Sequence, residues 1–274
     1  AGASPACRGC PATYPTLSGT EPELSRLRVA TWNVNSVRAR ADRVVDWMQR
    51  AEVDVLAMQE TKCSDDQFPA MTFLAAGYEV MHCGHDQWNG VAIASRVGFE
   101  DVTIGFDGQP AWGGKDEARA IGATCGGVRV WSLYVPNGRT VADPHYRYKL
   151  EWLGALRNTA ERWLADNPSA QIALTGDWNI APRDEDVWDM SVFANSTHVT
   201  DGRACFASVG ERTRTGDCYA RCDRTSGGNE AVDQQDAKRA IGVETTGDIQ
   251  RIVAGSPREA GQLDLQHAGR ALAE

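Results

Sequence analysis

The chain has 274 residues, 42% of them hydrophobic and 24% charged, and a formal net charge of −9 at pH 7. That length supports one large α/β domain with a substantial core, or two small ones, and no apolar run approaches membrane-spanning length. The acidity excludes attraction of nucleic acid by bulk field, so a phosphodiester partner would need a local basic patch and a bound divalent cation.

Residues 1–25 are rich in Pro, Gly, Ser and Thr without periodicity and read as a disordered lead-in. They lack the charged-then-apolar pattern of a secretory signal, so a cytoplasmic protein is expected. Arg28 to Val34 is the first expected strand. Asn35 or Ser36 follows as an N-cap, and Val37, Ala41, Val44, Val45 and Met48 share one helical face. Val53 to Gln59 reads as a second strand with Glu60 directly at its end, followed by a short helix around Asp65 to Ala75. Tyr78 to Cys83 and Gly90 to Ser95 are strands joined by a polar stretch. Ala118 to Cys125 and Val128 to Val135 form a hairpin about Gly126-Gly127. Tyr146 to Leu164 is the strongest helix, with Leu150, Leu153, Leu156, Ala160, Trp163 and Leu164 expected inward.

The stretch that organises the rest is Leu174-Thr175-Gly176-Asp177-Trp178-Asn179-Ile180-Ala181-Pro182. Ile172-Ala173-Leu174 reads as a buried strand, and Gly176 and Pro182 punctuate its end. Asp177 and Asn179 are thereby delivered where the backbone leaves a sheet, two residues apart. That spacing suits a site, and it also suits an Asx turn. After about residue 200 the text changes. All nine tryptophans lie at or before Trp188, and Phe193, Phe206 and Tyr219 are the only Phe or Tyr residues beyond residue 190. Ala240 to Val243 and Ile249 to Val253 are at best short marginal elements, so residues 201–274 are expected to be of low order. The organisation read from this is a lead-in (1–25), a sandwich domain (26–200) and a tail (201–274).

Strands paired with strands, with helices between blocks, suggest two sheets packed face to face with helices outside. Asn33, Glu60, Tyr134 and the Asp177/Asn179 pair then stand at four strand ends. Singly, each has a structural explanation: a helix cap, a solvated carboxylate, a core phenol, a turn. Together they describe a cleft of hard oxygen groups that suits Mg²⁺, the ion that phosphodiester hydrolysis needs to neutralise the leaving oxygen. Cys63, Cys83 and Cys125 read as buried thiols, and neither Cys7-x-x-Cys10 nor Cys218-x-x-x-Cys222 has a His beside it for a zinc site.

Four segments closely resemble the exodeoxyribonuclease III family of the endonuclease/exonuclease/phosphatase superfamily. They are Thr31-Trp32-Asn33-Val34-Asn35-Ser36-Val37-Arg38-Ala39-Arg40, Met58-Gln59-Glu60-Thr61-Lys62, Tyr134-Val135-Pro136-Asn137-Gly138, and Gly176-Asp177-Trp178-Asn179-Ile180-Ala181-Pro182. Trp88-Asn89-Gly90-Val91-Ala92 and Tyr148-Lys149-Leu150-Glu151-Trp152-Leu153 are similar to the family too. The likeness spans about residues 27–200. It implies a DNase I-like, four-layered α-β-β-α sandwich with Mg²⁺ (or Mn²⁺) dependence. It also implies a monomer that acts on duplex DNA at 3′ ends and abasic sites. By position, Glu60 would hold the metal with Asn33 beside it and Asp177 and Asn179 contributing. Tyr134, Asp177 and Asn179 would be catalytic, and Arg38 and Arg40 would contact DNA phosphates.

The family also has an Arg-Ile-Asp strand and a closing Ser-Asp-His strand end, and no such segment occurs here. His198, in Ser196-Thr197-His198-Val199-Thr200, reads as structural. The second sheet is therefore expected to lack its C-terminal strands, and the enzyme to be impaired. The tail reads as a shifted frame or substituted terminus. The alternatives are a remnant that binds DNA or metal without cleavage, and a different phosphodiesterase of the superfamily.

Overall fold

A computed structural model describes residues 26–181, 184–187 and 189–200, and the backbone of 240–246 and 248–255. The lead-in, most of the tail and the Cys7, Cys10, Cys218 and Cys222 thiols lie outside the described residues. No described helix is long and apolar enough to cross a membrane.

The elements are, in order, β1 (Arg26–Asn33), α1 (Ala41–Arg50), β2 (Val55–Gln59), α2 (Ala70–Ala75), β3 (Glu79–Cys83), β4 (Val91–Ser95), β5 (Glu100–Ile104), β6 (Ala120–Cys125), β7 (Val128–Tyr134), α3 (Pro144–Asp166), β8 (Ile172–Asp177), β9 (Ala240–Thr246) and β10 (Asp248–Gly255). One sheet has the order β10-β9-β1-β2-β4-β3 and the other β5-β6-β7-β8. β1 is parallel to β2, and β7 to β8, so the carboxyl ends within each pair meet at one edge.

Three apolar layers separate four structural layers, which is the α-β-β-α sandwich. Val44, Trp47 and Met48 of α1 and Phe73 of α2 pack on Ala30, Leu56, Met58 and Ala92. Leu27, Val29, Val55, Val91 and Ile93 face Ile121, Ala123, Val130 and Ala173 across the middle. Trp152, Leu153 and Leu156 of α3 cover Trp131 and Leu133. Side chains alternate along each strand, so this fixes which residues point between the sheets. On β1 the inward set is 27, 29, 31 and 33; on β7 it is 128, 130, 132 and 134; on β8 it is 173, 175 and 177. Each series begins apolar and ends polar.

Below the strand ends the polar members satisfy one another. Gln59 Nε2 donates to Thr31 Oγ1 at 3.0 Å and to Ser132 Oγ at 2.9 Å, linking the sheets. Ser132 Oγ donates to the Met58 carbonyl at 2.8 Å. Buried and paired in this way, they add specificity without the penalty of an unpaired polar group.

The sequence expectations differ from the structure in a few places. Ser36 makes no side-chain capping bond. It precedes a 3-10 turn, Val37–Ala39, and α1 begins only at Ala41. The Asp65–Ala75 helix is broken at Pro69 into a 3-10 turn and α2, because Pro cannot donate to the preceding turn. The stripe of α3 that is fully buried runs through Tyr148, Lys149, Trp152, Leu153 and Leu156, with Leu150, Trp163 and Leu164 only half-buried. β5 is a strand that the sequence reading does not include, and all five of its residues are exposed. Finally, β9 and β10 are strands of seven and eight residues, longer than expected. β9 runs antiparallel to β1 from Arg26 opposite Thr246 to Trp32 opposite Ala240. The open edge of β1 offers backbone N–H and C=O groups, and pairing with them needs no aromatic side chains. The second sheet has four strands among the described residues, with β8 at its edge.

Two features of this packing are testable. Gly176 has φ +150°, and a Cβ there would lie 1.9 Å from the Leu133 carbonyl oxygen of the neighbouring strand. Gly176→Ala is expected to destabilise by at least about 2 kcal/mol, seen as a lower urea midpoint; an unchanged midpoint contradicts the close approach. His82 is buried between the Thr61 hydroxyl and Asp65, each at 2.8 Å, beneath the Phe68 ring. Burial lowers its pKa from 6.5 to about 4 despite the Asp65 charge. The folded state keeps the ring neutral, so acid favours the unfolded chain. Stability is complete above about pH 6.5 and falls toward pH 4, by on the order of 3 kcal/mol. Urea titrations across that window check it, and His82→Phe should flatten the decline.

Candidate active site

The site lies where the inward polar series end. β1 delivers Asn33, β2 delivers Glu60 one residue past its end, β7 delivers Tyr134, and β8 delivers Asp177. The four residues therefore come together from both sheets, at one edge, as the sequence suggests.

Asn33 joins them. Its Nδ2 donates to Glu60 Oε1 at 2.7 Å and to Asp177 Oδ2 at 2.7 Å. Its Oδ1 accepts from the Asn35 backbone N–H at 3.1 Å. Reversing the amide would set its oxygen against two carboxylates and its NH₂ against a backbone N–H, so the network fixes the orientation. Asn33 thus holds the acidic pair together and turns its own oxygen away from the space between them.

Backbone strain is concentrated here. Asn35, Ser36, Glu60, Lys62 and Asn179 all have positive φ, between 43° and 82°. Such conformations persist where the surroundings over-determine them. Ser36 and Val37 N–H groups bond the Glu60 and Thr61 carbonyls at 2.7 and 3.1 Å, and Lys62 N–H bonds the Asn89 carbonyl at 3.0 Å. Lys62 Nζ bridges Glu60 Oε2 at 2.8 Å and Asn35 Oδ1 at 2.5 Å.

Tyr134 stands over the pair. Burial raises its phenol pKa well above the usual value, and the Glu60 and Asp177 charges raise it further against the opposing Arg119 charge. The hydroxyl therefore stays protonated and able to donate. The Arg119 guanidinium lies 4.9 Å from the Tyr134 ring centroid and binds Glu117 at 2.7 Å. Burial alone would raise the Glu117 carboxyl, but hydrogen bonds from Arg119, Tyr148 and Asn89 outweigh it and hold it low.

Asn179 is placed by its neighbours. Its N–H donates to Asp177 Oδ1 at 3.1 Å and its Nδ2 to the Val135 carbonyl at 2.9 Å. Its Oδ1 lies 3.2 Å from Asn137 Nδ2 and 3.3 Å from His198 Nε2. The sequence reading left His198 outside the site as structural. The structure puts it against Asn179, with Ser196 Oγ 2.6 Å from its other nitrogen. Burial, then the Lys149 ammonium, lowers its pKa to about 4, so it is neutral at pH 7 and a poor base. Asn137 and Lys149 are likewise at the site. Both stand in segments whose family likeness is legible, but nothing in their spacing reveals the contact with Asn179. Of the two arginines, Arg38 is exposed, whereas Arg40 donates to the backbone carbonyls of Asn35 and Ser36.

Among the described residues no three His, Cys, Asp or Glu side chains group together. Glu60 and Asp177 supply two carboxylates brought close by one amide. That donor set fits Mg²⁺, which is usually bound by one or two carboxylates and completes its shell with water and phosphate.

The sequence pattern of the Endonuclease/Exonuclease/phosphatase family matches residues 30–235. The chain is 27% identical over 166 residues to exodeoxyribonuclease III of Haemophilus influenzae, covering 59% of this chain and 60% of that protein. Among solved structures it is similar to an AP endonuclease from Archaeoglobus fulgidus, at 35% identity and TM-score 0.61, covering 68% of this chain and 70% of that one. A 3′-5′ exonuclease from Neisseria meningitidis has 30% identity and TM-score 0.62, covering 72% and 79%. The chain thus spans about three fifths of the curated Haemophilus relative's length. With both the sheet-edge constellation and the match in view, the chain belongs to the endonuclease/exonuclease/phosphatase family, among relatives of exodeoxyribonuclease III and AP endonuclease type.

Proposed function

We propose that the chain is a Mg²⁺-dependent DNA repair nuclease that hydrolyses phosphodiesters of duplex DNA at 3′ ends and beside abasic sites. The observation that carries this reading is the Asn33 amide bridging Glu60 and Asp177 from opposite sheets. Two carboxylates held together at a strand edge repel a phosphodiester unless a cation joins them. Glu60 and Asp177 would hold that ion, which would neutralise charge on the leaving oxygen and the phosphate. The likeness to an exodeoxyribonuclease, an AP endonuclease and a 3′-5′ exonuclease supports the same reaction class.

Around the phosphate, each residue has a role that follows from its chemistry. Tyr134 remains a neutral donor and hydrogen-bonds a phosphate oxygen. Asn179 presents the second hydrogen of its Nδ2 to a non-bridging oxygen as charge builds there. Asp177 orients the attacking water or passes a proton to the leaving oxygen. Arg38, exposed beside the first loop, contacts a flanking phosphate. The chain contains no Asp-His dipeptide, and His198 is neutral with a pKa of about 4. These two observations favour slow turnover as the second reading, since neither supplies a base matched to neutral pH.

The test is cleavage of nicked and abasic duplexes with Mg²⁺ and with EDTA. Mg²⁺-dependent cleavage is expected, with Glu60→Gln and Asp177→Asn each lowering kcat/KM by roughly 10³-fold or more. Binding without cleavage in the unaltered chain would support a remnant. Cleavage that survives both substitutions would overturn the site assignment.

A further inference from the structure

We propose that Lys149 is a positioning residue, whose buried ammonium locks the three loops that bring Asn137, Asn179 and His198 over Asp177. The inference rests on the phosphodiesterase reading of this site. Lys149 is 0% exposed, within a chain segment otherwise packed with aromatic and aliphatic groups. Its Nζ donates to the carbonyls of Asn179 at 2.6 Å, Thr197 at 2.8 Å and Asn137 at 3.3 Å. Three N–H bonds meet three acceptors, one from each loop, so the ammonium is fully used.

The carbonyls it gathers and the side chains of the site belong to the same short segments. Asn137, Asn179 and His198 form a triangle of contacts at 3.2, 3.3 and 3.4 Å. Thr197 Oγ1 adds a second tie to the Asn137 carbonyl at 2.6 Å. The Lys149 stem runs so close under Gly138 that a Cβ there would meet Lys149 Cδ at 3.1 Å. Asn179 holds a left-handed φ of 49°, a conformation that Asn tolerates better than other non-glycine residues. A buried charge is costly, and a methionine of similar length would fill the same space without it. What only the ammonium supplies is three simultaneous donors at the meeting point of the loops.

The experiment uses the full chain with Lys149→Met and, separately, the isosteric Thr197→Val. Amide hydrogen exchange is followed at the Gly138, Asn179 and Ala181 N–H groups, which bond His145 Nδ1, Asp177 Oδ1 and the His198 carbonyl. Lys149→Met should speed exchange there by about tenfold or more while β6 and β7 amides are unchanged; Thr197→Val should give the same pattern more weakly. On duplex DNA, Lys149→Met should lower kcat by roughly 100-fold with KM within about threefold, and should add little in an Asn179→Ala background. Unchanged local exchange, equal acceleration everywhere, or additive kinetic effects would each overturn the proposal. Should Lys149→Met fail to fold, unchanged exchange in Thr197→Val overturns it alone. A chain that cleaves no DNA would remove the nuclease reading, and the exchange result would still decide whether Lys149 locks the loops.

Discussion

The Asn33 amide ties the two sheets together at the edge where the site lies. Asn33 Nδ2, at the end of β1, reaches both Glu60 in its own sheet and Asp177 in the other. Without a donor between them, the buried Glu60 carboxylate and the half-buried Asp177 carboxylate would repel and separate. The amide has two hydrogens and no charge, so it holds the pair without neutralising it. Lys62 tempers the charge of the pair from the side through Glu60 Oε2.

That interaction depends on a gradient built into the strands. On β1, β2, β7 and β8 each inward-facing series starts with Leu, Val or Ala and ends with Asn, Gln, Tyr or Asp. The apolar part drives the sheets together, and the polar part begins only where the sandwich opens. Gln59, Thr31 and Ser132 form the boundary layer, and they satisfy one another before the site begins. The site is thereby floored by rigid, hydrogen-bonded strand backbone. Its walls are loops held in left-handed conformations by backbone hydrogen bonds from neighbouring segments. Rigid strands supply the carboxylates and phenol, and restrained loops supply the amides.

The two sheets are completed differently. β9 and β10 extend the first sheet on the β1 edge through backbone pairing. The second sheet ends at β8 among the described residues, directly beside the loop that carries Asn179. Among the described residues, the polar groups that meet at the site come from residues 33–198.

The layers and the four strand ends were legible in residue pattern and motif alone. Period-two alternation settles which face of a strand is buried, and local signals such as Gly126-Gly127 settle where the chain reverses. The motif segments around Asn33, Glu60, Tyr134 and Asp177 are contiguous, so their family likeness was readable without coordinates. Which of these groups touch depends on how the sheets and loops pack. The Asn33–Asp177 contact joins residues 144 apart in the chain, and the orientation of the Asn33 amide follows from partners on three separate segments. The roles of Lys149 and His198 were hidden for the same reason. Lys149 looked like one more helix residue, and His198 like a loop residue. Their significance lies in carbonyl and amide groups contributed by distant loops, and no pattern of spacing along one segment encodes where those groups converge.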